Sequence, residues 1–578
     1  MNISIKLHNK LQQQKEELSD IYKIDVNKDG LKIIYKNNRA IHSKYNIENE
    51  CKRALENINK NKNLIIIYGY GLGYILKYLL ENINNYFNDE IIKDLKIVIV
   101  VEDAAIFKYS YYNIYSTNKE NIFFIDSEDD IEYINKIIDY KNINGINLVM
   151  LPSLTKEEKD NANIFYTNIL NNMEKELSNI LTNMYFENIW TKNIIFNSEY
   201  ISKSSDVSIL KDAFKDFKAL LICPGPTLEY SIKKIKNNRE SFIVICVDTA
   251  YSVLCKNNII PDFVVTVDGG FFNSLDFIYE SADFPYLIMD IACNKIIPKR
   301  LENKTNIIRF SSNENLELIK YINDYTAISA LNTSSTVAST MIDFAYYTGF
   351  KDVLLIGFDN SYPFYQRHIK HTLSYEYMIN KTNKIKTFES YYFNTIKNNT
   401  NIDVYPPTEF VFENQIEYFK SFKDKYKNMN IKRLTYDAVK IEYIEEGNID
   451  DFVFDRNMAL NIADKKYKEN DKTNIKEAFN KLKTILEEFK IEILNIYNEA
   501  KNNNNDEEKI NNIYDTSIKT IKTYQEKANI LKTILSSTMM MSNRANSTKR
   551  NKLIFLLTET LSNVTYFLSR INIAIKKL

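Results

Sequence analysis

The chain has 578 residues, of which 44% are hydrophobic and 26% are charged, and its 75 basic and 75 acidic side chains give a formal net charge of zero. This composition fits a soluble globular protein of about three domains. The balanced charge excludes a global electrostatic attraction to nucleic acid or to an anionic membrane.

The N-terminal sequence lacks the apolar core of a signal peptide, and no apolar run reaches the ~18 residues of a membrane span. We therefore expect no membrane insertion. The five cysteines form no CxxC and no zinc-type spacing, which is typical of reduced thiols in a cytoplasmic protein.

The first part of the chain predicts an α/β domain. A polar helix begins the chain, and "LKIIYKNNRAIHSKY" predicts a short hairpin. Apolar runs then alternate with helical segments, the runs being "NLIIIYGYG", "DLKIVIVVED", "NIFFIDS" and "INLVMLPS". Short β-branched runs separated by helices are typical of a parallel sheet. We place this domain at residues 1–200, with helices over 155–205 leading out of it.

A second series of strands begins near residue 217 and predicts a Rossmann-like doubly wound sheet over residues 201–447. Its strands are expected in "FKALLICPGPT", "SFIVICVDTA", "PDFVVTVDGG", "FPYLIMDIA", "NIIRFSS" and "DVLLIGFDNS". Ligands of such sheets bind outside the carboxyl ends of the strands. The turns "PGPT", "DTA", "DGG" and "FDNS" all fall at that edge, which predicts a site there.

Residues 448–578 have helical periodicity without strand runs, as in "EAFNKLKTILEEFKIEILNIYNEAK". This predicts a helical C-terminal domain. Its apolar stripes fit either a packed bundle or a docking surface for a partner protein.

The turn "GYGLGY" places Gly69, Gly71 and Gly73 between a buried strand and a helix. Glycines there let backbone N–H groups approach a ligand, and Glu102 ends the next strand, where nucleotide folds often place a ribose-binding acid. The turn therefore fits a dinucleotide or S-adenosylmethionine site, or it merely packs the helix on the strand. We favour the structural role.

The turn "CPGPT" is stiffer, because Pro224 and Pro226 bracket Gly225. Thr227 is expected to cap the following helix, whose free N–H groups would then face a phosphate. Other polar residues offer groups for ribose, a pyrimidine edge, phosphate and sugar hydroxyls. They are Asp248, Thr249, Asp268, Asp359 and Asn360 at the ends of strands, Asp262 after Pro261, and Asn332, Thr333, Ser334 and Ser335 before a helix. The sequence has no P-loop lysine motif and no DxD pair after a strand.

Two of the four histidines, His368 and His371, lie in "YPFYQRHIKHTLSYE" just after the strand that carries Asp359. Histidine is a natural general base for a hydroxyl proton. Two histidines three residues apart make a weak metal site, and both could also be plain surface residues. Tyr362 adds a stacking option.

Together these motifs resemble the core of the motility-associated factor (Maf) flagellin glycosyltransferases. The resemblance rests on "LLICPGPTLEYSIKKI", "FIVICVDTAYSVLCKNNIIPDFVVTVDGG", "TSSTVASTMIDFAYYTGFKDVLLIGFDNSY" and "NIKRLTYDAVKIEYIEE". The N-terminal segments "AIHSKYNIENECKRAL" and "YGYGLGY" resemble the region that precedes this core, so the resemblance covers about residues 30–445 in order.

The resemblance implies a sialyltransferase-like core that transfers a nonulosonic acid, of the pseudaminic or legionaminic type, from its CMP-activated form to Ser or Thr of flagellin. It places Gly225, Pro226 and Thr227 at the phosphate and ribose, and Asp248, Thr249 and Asp268 beside the donor. The cytidine or its phosphate is expected at Asn332, Thr333, Ser334 and Ser335.

By the same resemblance, His371 or His368 is the base beside Asp359. No cofactor is required, while a divalent metal and an oligomeric state stay open. Thr227 replaces the family's usual Ser, and a glycine-rich spacer before the histidine is missing, so the choice between the two histidines is open.

Three other functions fit parts of the chain. The core also resembles archaeal 6-hydroxymethylpterin diphosphokinases, which use ATP but are short single-domain proteins. "GYGLGY" with Glu102 fits a methyltransferase. A flagellin-binding assembly factor without catalysis is the third.

Overall fold

The computed structural model describes residues 2–14, 18–114, 120–126, 131–138, 140–279, 283–332, 336–390, 406, 408, 412–413, 415–416, 425–442, 444–467, 473–503, 506–544 and 548–578. The chain forms two compact units. The first comprises residues 1–183 and 537–552, and the second comprises residues 184–536 and 553–578. The division into three domains stays a prediction, because compactness alone does not identify folding units.

The first unit contains a five-stranded parallel sheet in the order β1-β7-β6-β5-β8 and a three-stranded antiparallel sheet, β2-β3-β4. The strands are β1 Asn2–Ile3, β2 Tyr22–Val26, β3 Lys32–Lys36, β4 Arg39–Ala40, β5 Leu64–Tyr68, β6 Lys96–Val101, β7 Ile122–Asp126 and β8 Ile146–Met150. Strand β5 is buried along its whole length, as expected for a central parallel strand. The predicted hairpin is confirmed as β3–β4, and its turn residues Asn37 and Asn38 both have positive φ.

The helices of the first unit follow its strands, as the alternating pattern predicts. They are α1 Ile5–Gln13, α2 Ile47–Leu55, α3 Tyr74–Glu81, α4 Ile83–Tyr86, α5 Asp89–Asp94, α6 Ala104–Ile114 and α7 Ile131–Ile137. Helix α8, Lys156–Lys203, begins in the first unit and ends in the second.

The second unit contains a nine-stranded parallel sheet in the order β17-β16-β15-β10-β11-β12-β13-β14-β9. The strands are β9 Ser205–Asp206, β10 Lys218–Ile222, β11 Val244–Val247, β12 Phe263–Thr266, β13 Tyr286–Asp290, β14 Asn306–Phe310, β15 Asp352–Ile356, β16 Asn430–Leu434 and β17 Glu445–Glu446. The strand order runs outward from β10 to β14 and then returns to the other side of β10 with β15. The predicted doubly wound sheet is confirmed, and its topological switch point lies between β10 and β15.

The helices of the second unit flank this sheet and then continue as a helical region after β17, which is also as predicted. They are α9 Glu229–Asn237, α10 Asp248–Lys256, α11 Phe271–Tyr279, α12 Ile296–Leu301, α13 Glu317–Asn323, α14 Val337–Thr348, α15 Leu373–Lys381, α16 Arg456–Lys466, α17 Thr473–Asn502, α18 Glu507–Lys527, α19 Ile530–Arg544 and α20 Lys549–Lys577. Residues 537–552 of α19 and α20 are assigned to the first unit. In α17, Leu482, Leu486 and Phe489 are fully buried at helical spacing, so this stripe is a packing face.

Among the described helices, none combines the length and the hydropathy that crossing a membrane requires.

Candidate functional site

The predicted site residues lie where the parallel strands of the second sheet end. Cys223 to Thr227 follow β10, Asp248 follows β11, Asp268 follows β12, and Asp359 follows β15. Asp262 is an exception that corrects the sequence interpretation, because it precedes β12 and lies at the opposite edge. There it pairs with Arg239 at 2.8 Å and with Arg456 at 2.7 Å, which gives it a structural role.

The turn at Gly225 closes the switch point of the sheet. Its N–H donates to the Gly357 carbonyl at 2.8 Å, so the loops after β10 and β15 are joined. A Cβ at position 225 would lie 2.3 Å from the Gly357 carbonyl oxygen and 2.5 Å from Asp359 Oδ2. The φ of Gly225 is −66°, which any residue adopts, so the backbone conformation does not require glycine. Glycine is needed because the two loops touch and leave no space for a side chain.

Asp359 fills the position at which the sequence predicts a phosphate. The Thr227 N–H donates to Asp359 Oδ2 at 2.9 Å, and the Thr227 hydroxyl makes a short hydrogen bond to Asp359 Oδ1. Both side chains are buried. The predicted capping role of Thr227 is wrong, because its hydroxyl is held by Asp359 and α9 begins at Glu229 without a side-chain cap.

Burial raises the pKa of Asp359, although the Thr227 donors and the charge of Arg433 oppose the rise. Arg433 lies on β16, a strand that the sequence pattern did not predict. It is buried and donates to the carbonyls of Phe358, Asp359 and Val439 at 2.7–3.0 Å. Burial also lowers the pKa of this guanidinium to about 10. Arg433 therefore fixes the backbone that carries Asp359.

Asp248 is turned into the protein. It accepts the Thr249 N–H at 2.8 Å, the Thr266 hydroxyl at 3.0 Å and the Asn273 amide at 3.4 Å. Burial is the main cause that raises its pKa to about 6, and the nearby charge of Asp268 adds to it. These contacts tie the starts of α10 and α11 to the end of β12.

Asp268 borders an open cleft of about 490 Å³ at the ends of β12, β13 and β14. The lining residues are Phe186, Trp190, Val267, Asp268, Ala292, Ser312, Asn313, Leu316, Ile319, Thr336 and Val337. The carboxylate of Asp268 is exposed and accepts the Gly270 N–H at 2.7 Å. Of the predicted acidic residues, Asp268 is the one that faces this cleft.

An aromatic pair on α8 forms one wall of the cleft. The rings of Phe186 and Trp190 stack with centroids 5.8 Å apart and an interplanar angle of 27°. Three residues further along, Asn193 donates to the carbonyls of Gly269 and Ala292 at 3.1 and 3.0 Å. Trp190 is the single tryptophan of the chain, but no motif of the sequence marks it as a site residue.

Asp290, which no motif of the sequence marks as a site residue, contacts two residues that line the cleft. It ends β13, is buried, and accepts the N–H groups of Ala292 and Ser312 at 2.7 and 2.8 Å. Burial raises its pKa to about 6. Asp290 therefore positions two residues of the cleft wall.

The N-terminus of α14 opens at the same cleft. Thr336 is its N-cap residue, and its side chain makes no capping hydrogen bond. Thr336 and Val337 line the cleft, so the positive end of the α14 dipole lies at its edge. Asn332 is exposed, and its N–H donates to Asp343 at 2.7 Å. The predicted residues Thr333, Ser334 and Ser335 lie outside the described residues.

The two candidate bases differ in their surroundings. His368 is half-buried, and its Nδ1 lies 2.7 Å from the Ser374 hydroxyl. Burial, helped by the charge of Arg367, lowers the pKa of His368 to about 4, which makes it a weak base. His371 is 58% exposed, and its Nδ1 lies 3.1 Å from Glu376 Oε1. A carboxylate that accepts from Nδ1 leaves Nε2 free to take a proton.

Tyr362, predicted at the donor, is fully buried and packs on Phe412 with ring centroids 5.5 Å apart. This ring belongs to the interior. Within the described residues, no group of three or more His, Cys, Asp or Glu side chains could hold a metal ion.

The turn of Gly69, Gly71 and Gly73 in the first unit is also filled by side chains. His42 Nε2 accepts the Leu72 N–H at 2.8 Å, and Glu102 accepts the Tyr70 N–H at 3.2 Å. A Cβ at Gly71 would lie 2.5 Å from His42 Nε2, and the φ of +53° is unfavourable for other residues. Burial raises the pKa of Glu102 to about 7. These contacts give the turn a structural role.

Comparison with known proteins agrees with this architecture. Residues 192–364 match a family model described as 6-hydroxymethylpterin diphosphokinase MptE-like. A segment of 85 residues is 28% identical to an uncharacterized protein of Treponema pallidum (strain Nichols) and spans 15% of this chain and 40% of that protein. A Maf glycosyltransferase structure from Magnetospirillum magneticum AMB-1 superposes with a TM-score of 0.55 at 13% identity, over 99% of this chain and 94% of that one.

The chain has the fold of a Maf glycosyltransferase. The resemblance found in the motifs is thereby confirmed at the level of fold, along with the α/β class and the helical C-terminal region. In this Maf fold, the family-model match covers the second sheet from the end of α8 to the loop after β15. The cleft beside Asp268 and the His371 segment both belong to the second unit.

Proposed function

We propose that this protein is a glycosyltransferase that moves a nonulosonic acid of the pseudaminic or legionaminic type from its CMP-activated form to Ser or Thr hydroxyls of flagellin. The observation that carries the proposal is the shared fold with a Maf glycosyltransferase over 99% of the chain. The site geometry supports a transferase with a negatively charged leaving group.

The donor binds in the cleft beside Asp268. Its phosphate lies at the start of α14, where the positive end of the helix dipole favours an anion. Trp190 offers an aromatic face to the base or the sugar, and such stacking contributes about 1–3 kcal/mol per base in nucleic-acid complexes. The cleft volume of about 490 Å³ lies within the ~300–1,000 Å³ of ordinary ligand sites.

In this proposal, Gly225 and Thr227 do not contact the donor and act on it indirectly. Their N–H groups hold Gly357 and Asp359, which keeps the loops after β10 and β15 together. Asp248 orders the starts of two helices beside the cleft.

The transfer itself needs one proton acceptor. The acceptor hydroxyl oxygen bonds to the anomeric carbon, CMP leaves with the electron pair of the broken C–O bond, and the hydroxyl proton goes to Nε2 of His371. We choose His371 over His368 because Glu376 orients its ring and because the pKa of His368, near 4, makes that imidazole a poor base.

A second candidate function is transfer of pyrophosphate from ATP to a hydroxymethylpterin, which the family-model match at residues 192–364 favours. The match covers part of the second unit, whereas the Maf fold covers nearly the whole chain. The Maf-like function is therefore the better supported of the two.

Intact-mass spectrometry of unmodified flagellin distinguishes the candidates. Flagellin is incubated with the protein and either CMP-pseudaminic acid or CMP-legionaminic acid, and a parallel reaction contains ATP and 6-hydroxymethyldihydropterin. We expect flagellin to gain the mass of one or more nonulosonic acid residues. Pterin diphosphate formation without flagellin modification would contradict the proposal.

Exchange of each histidine tests the proposed base. His371→Gln should lower kcat by about 10²–10⁴-fold, the usual contribution of a general base, while leaving CMP binding unchanged. His368→Gln is the matched control, three residues away, and should lower kcat by less than about 10-fold. A larger loss for His368→Gln than for His371→Gln would reverse the assignment.

A further inference from the structure

Three large aromatic side chains form an exposed patch on the second unit. Phe271 and Phe272 begin α11 and are 56% and 68% exposed, and Tyr377 on α15 is 46% exposed. The ring centroid of Phe272 lies 6.3 Å from that of Phe271 and 6.4 Å from that of Tyr377, and both pairs are arranged edge to face. These three residues are called the aromatic patch below.

The packing of α11 does not account for the two exposed rings at its start. Further along this helix, Phe277 is fully buried and stacks on Tyr251 with ring centroids 5.3 Å apart, so it supplies the contact with the interior. A single exposed apolar side chain is common on protein surfaces, whereas contiguous exposed apolar surface marks a site of interaction. The aromatic patch therefore calls for a binding partner.

The aromatic patch links the two parts of the proposed site. Helix α11 begins just after the loop of Asp268, which borders the cleft. On α15, Tyr377 directly follows Glu376, whose Oε1 lies 3.1 Å from Nδ1 of His371. The contact between Phe272 and Tyr377 thus connects the loop that carries Asp268 with the helix that orients His371.

An acceptor hydroxyl has to reach both parts of this site. Its oxygen bonds to the anomeric carbon of a donor beside Asp268, and its proton goes to Nε2 of His371, whose side chain is exposed. The protein segment that carries the hydroxyl must therefore lie on the surface that links these two residues. A charged group borders the patch there, because the Lys381 ammonium lies 4.1 Å from the ring centroid of Tyr377. An apolar centre with a polar rim is typical of protein interfaces.

We propose that the aromatic patch is the surface that binds the acceptor, and that it holds a flagellin segment in which apolar side chains flank the modified Ser or Thr. Aromatic rings suit this role, because they supply a large contact area and lose little conformational entropy on binding. The identity of the acceptor rests on the proposed function. The inference itself concerns how the acceptor binds, and it leaves the transfer step as described above.

Photo-crosslinking of the full chain tests the contact directly. Phe272→p-benzoylphenylalanine is irradiated with purified unmodified flagellin, and the crosslinked peptides are identified by mass spectrometry. We expect crosslinks to flagellin peptides in which Ser or Thr lies next to apolar residues. No crosslink to flagellin, or crosslinks only between two copies of this chain, would overturn the proposal.

The second unit offers a matched control in another exposed aromatic cluster. Tyr436 is 46% exposed, as Tyr377 is, and its ring centroid lies 4.9 Å from that of Tyr230. Tyr436→p-benzoylphenylalanine should give no more crosslinks to flagellin than a sample kept in the dark. Equal crosslinking from positions 272 and 436 would show that flagellin meets exposed aromatic rings without preference, and would also overturn the proposal.

Transfer kinetics test whether the contact is used during the reaction. Phe272→Ser should raise the KM for flagellin by at least about tenfold, because truncation of an aromatic anchor weakens an interface, while kcat and the KM for the CMP-activated sugar stay within about twofold. Phe272→Tyr should restore the KM for flagellin, and Tyr436→Ser should leave all three constants unchanged. An unchanged KM for flagellin in Phe272→Ser would contradict the proposal.

The two readouts separate this inference from the proposed function. If the wild type transfers no sugar but position 272 crosslinks to flagellin, the proposed function fails and the aromatic patch still binds flagellin. If the wild type transfers sugar while position 272 neither crosslinks nor affects the KM for flagellin, the aromatic patch is not the acceptor surface and the proposed function stands.

Discussion

The two glycine turns follow buried parallel strands in the same way, yet different groups close them. In the turn at Gly69–Gly73, the unprotonated Nε2 of His42 accepts the Leu72 N–H. In the turn at Gly225–Thr227, the carboxylate of Asp359 accepts both the N–H and the hydroxyl of Thr227. A glycine turn after a strand is therefore insufficient to locate a phosphate, because protein side chains can take its N–H groups first.

Each unit also contains an open cleft. In the first unit, a cleft of about 500 Å³ is lined by His42, Glu50 and Ser153, among others. In the second unit, the cleft of about 490 Å³ adds the Phe186–Trp190 pair and the N-terminus of α14. These additions suit a nucleotide, and they are the reason that we place the donor in the second unit.

The largest effect is expected from Gly225→Ala. The new Cβ meets the backbone carbonyl oxygen of Gly357 at 2.3 Å and the carboxylate of Asp359, which Thr227 holds in place, at 2.5 Å. We expect a loss of about 3 kcal/mol in the free energy of unfolding, measured by denaturant titration.

Gly270→Ala is the control, because the nearest atom to its Cβ is the Asp268 side chain at 3.1 Å, which can move. Equal losses for the two variants would show that the loops after β10 and β15 are not packed as described.

A smaller loss, about 2 kcal/mol, is expected from Asp359→Asn. Asparagine offers only one oxygen to the two donors of Thr227, so one buried donor faces the NH₂ group of the amide, which cannot accept a hydrogen bond. Burial raises the pKa of Asp359 above its ordinary value of 3.8, so the folded state binds the proton more tightly than the unfolded state. The free energy of unfolding of the wild type therefore exceeds that of Asp359→Asn by most at pH values below 3.8. This difference declines as the pH rises towards the pKa of Asp359 in the folded state.

Denaturant titration of both proteins at several pH values measures this difference in the free energy of unfolding. A difference between wild type and Asp359→Asn that grows with rising pH would contradict the description of Asp359 as a buried carboxyl.

The smallest effect is expected from His42→Leu in the first turn. The Leu72 N–H loses its acceptor, but His42 borders a cleft from which water can replace it, so we expect about 1 kcal/mol. Transfer to flagellin and binding of CMP should stay unchanged. A loss of CMP binding in this variant would move the donor to the first unit.

The sequence predicts the order of strands well, because buried parallel strands are continuous apolar runs. It also predicts that Asp248, Asp268 and Asp359 follow strands. It does not predict which of them faces solvent, because that depends on pairs far apart in the chain. Thr227 and Asp359 are separated by 132 positions, and their hydrogen bonds occupy the N–H and the hydroxyl that the turn would otherwise offer to a phosphate.

The sequence pattern does not identify Trp190 or Arg433 as important residues, for related reasons. Trp190 lies within a long helix whose polar and apolar pattern gives no sign that this ring borders a cleft. Arg433 lies on β16, where basic residues obscure the apolar pattern of a strand. In the fold, Arg433 is buried because three backbone carbonyls accept its N–H groups.

Hydrogen exchange of the full chain with and without CMP tests the placement of the donor most directly. We predict that CMP protects peptides with Trp190, Asp268 and Thr336, and leaves peptides with Gly69–Gly73 unchanged. Protection at Gly69–Gly73 without protection at the Asp268 cleft would contradict the account.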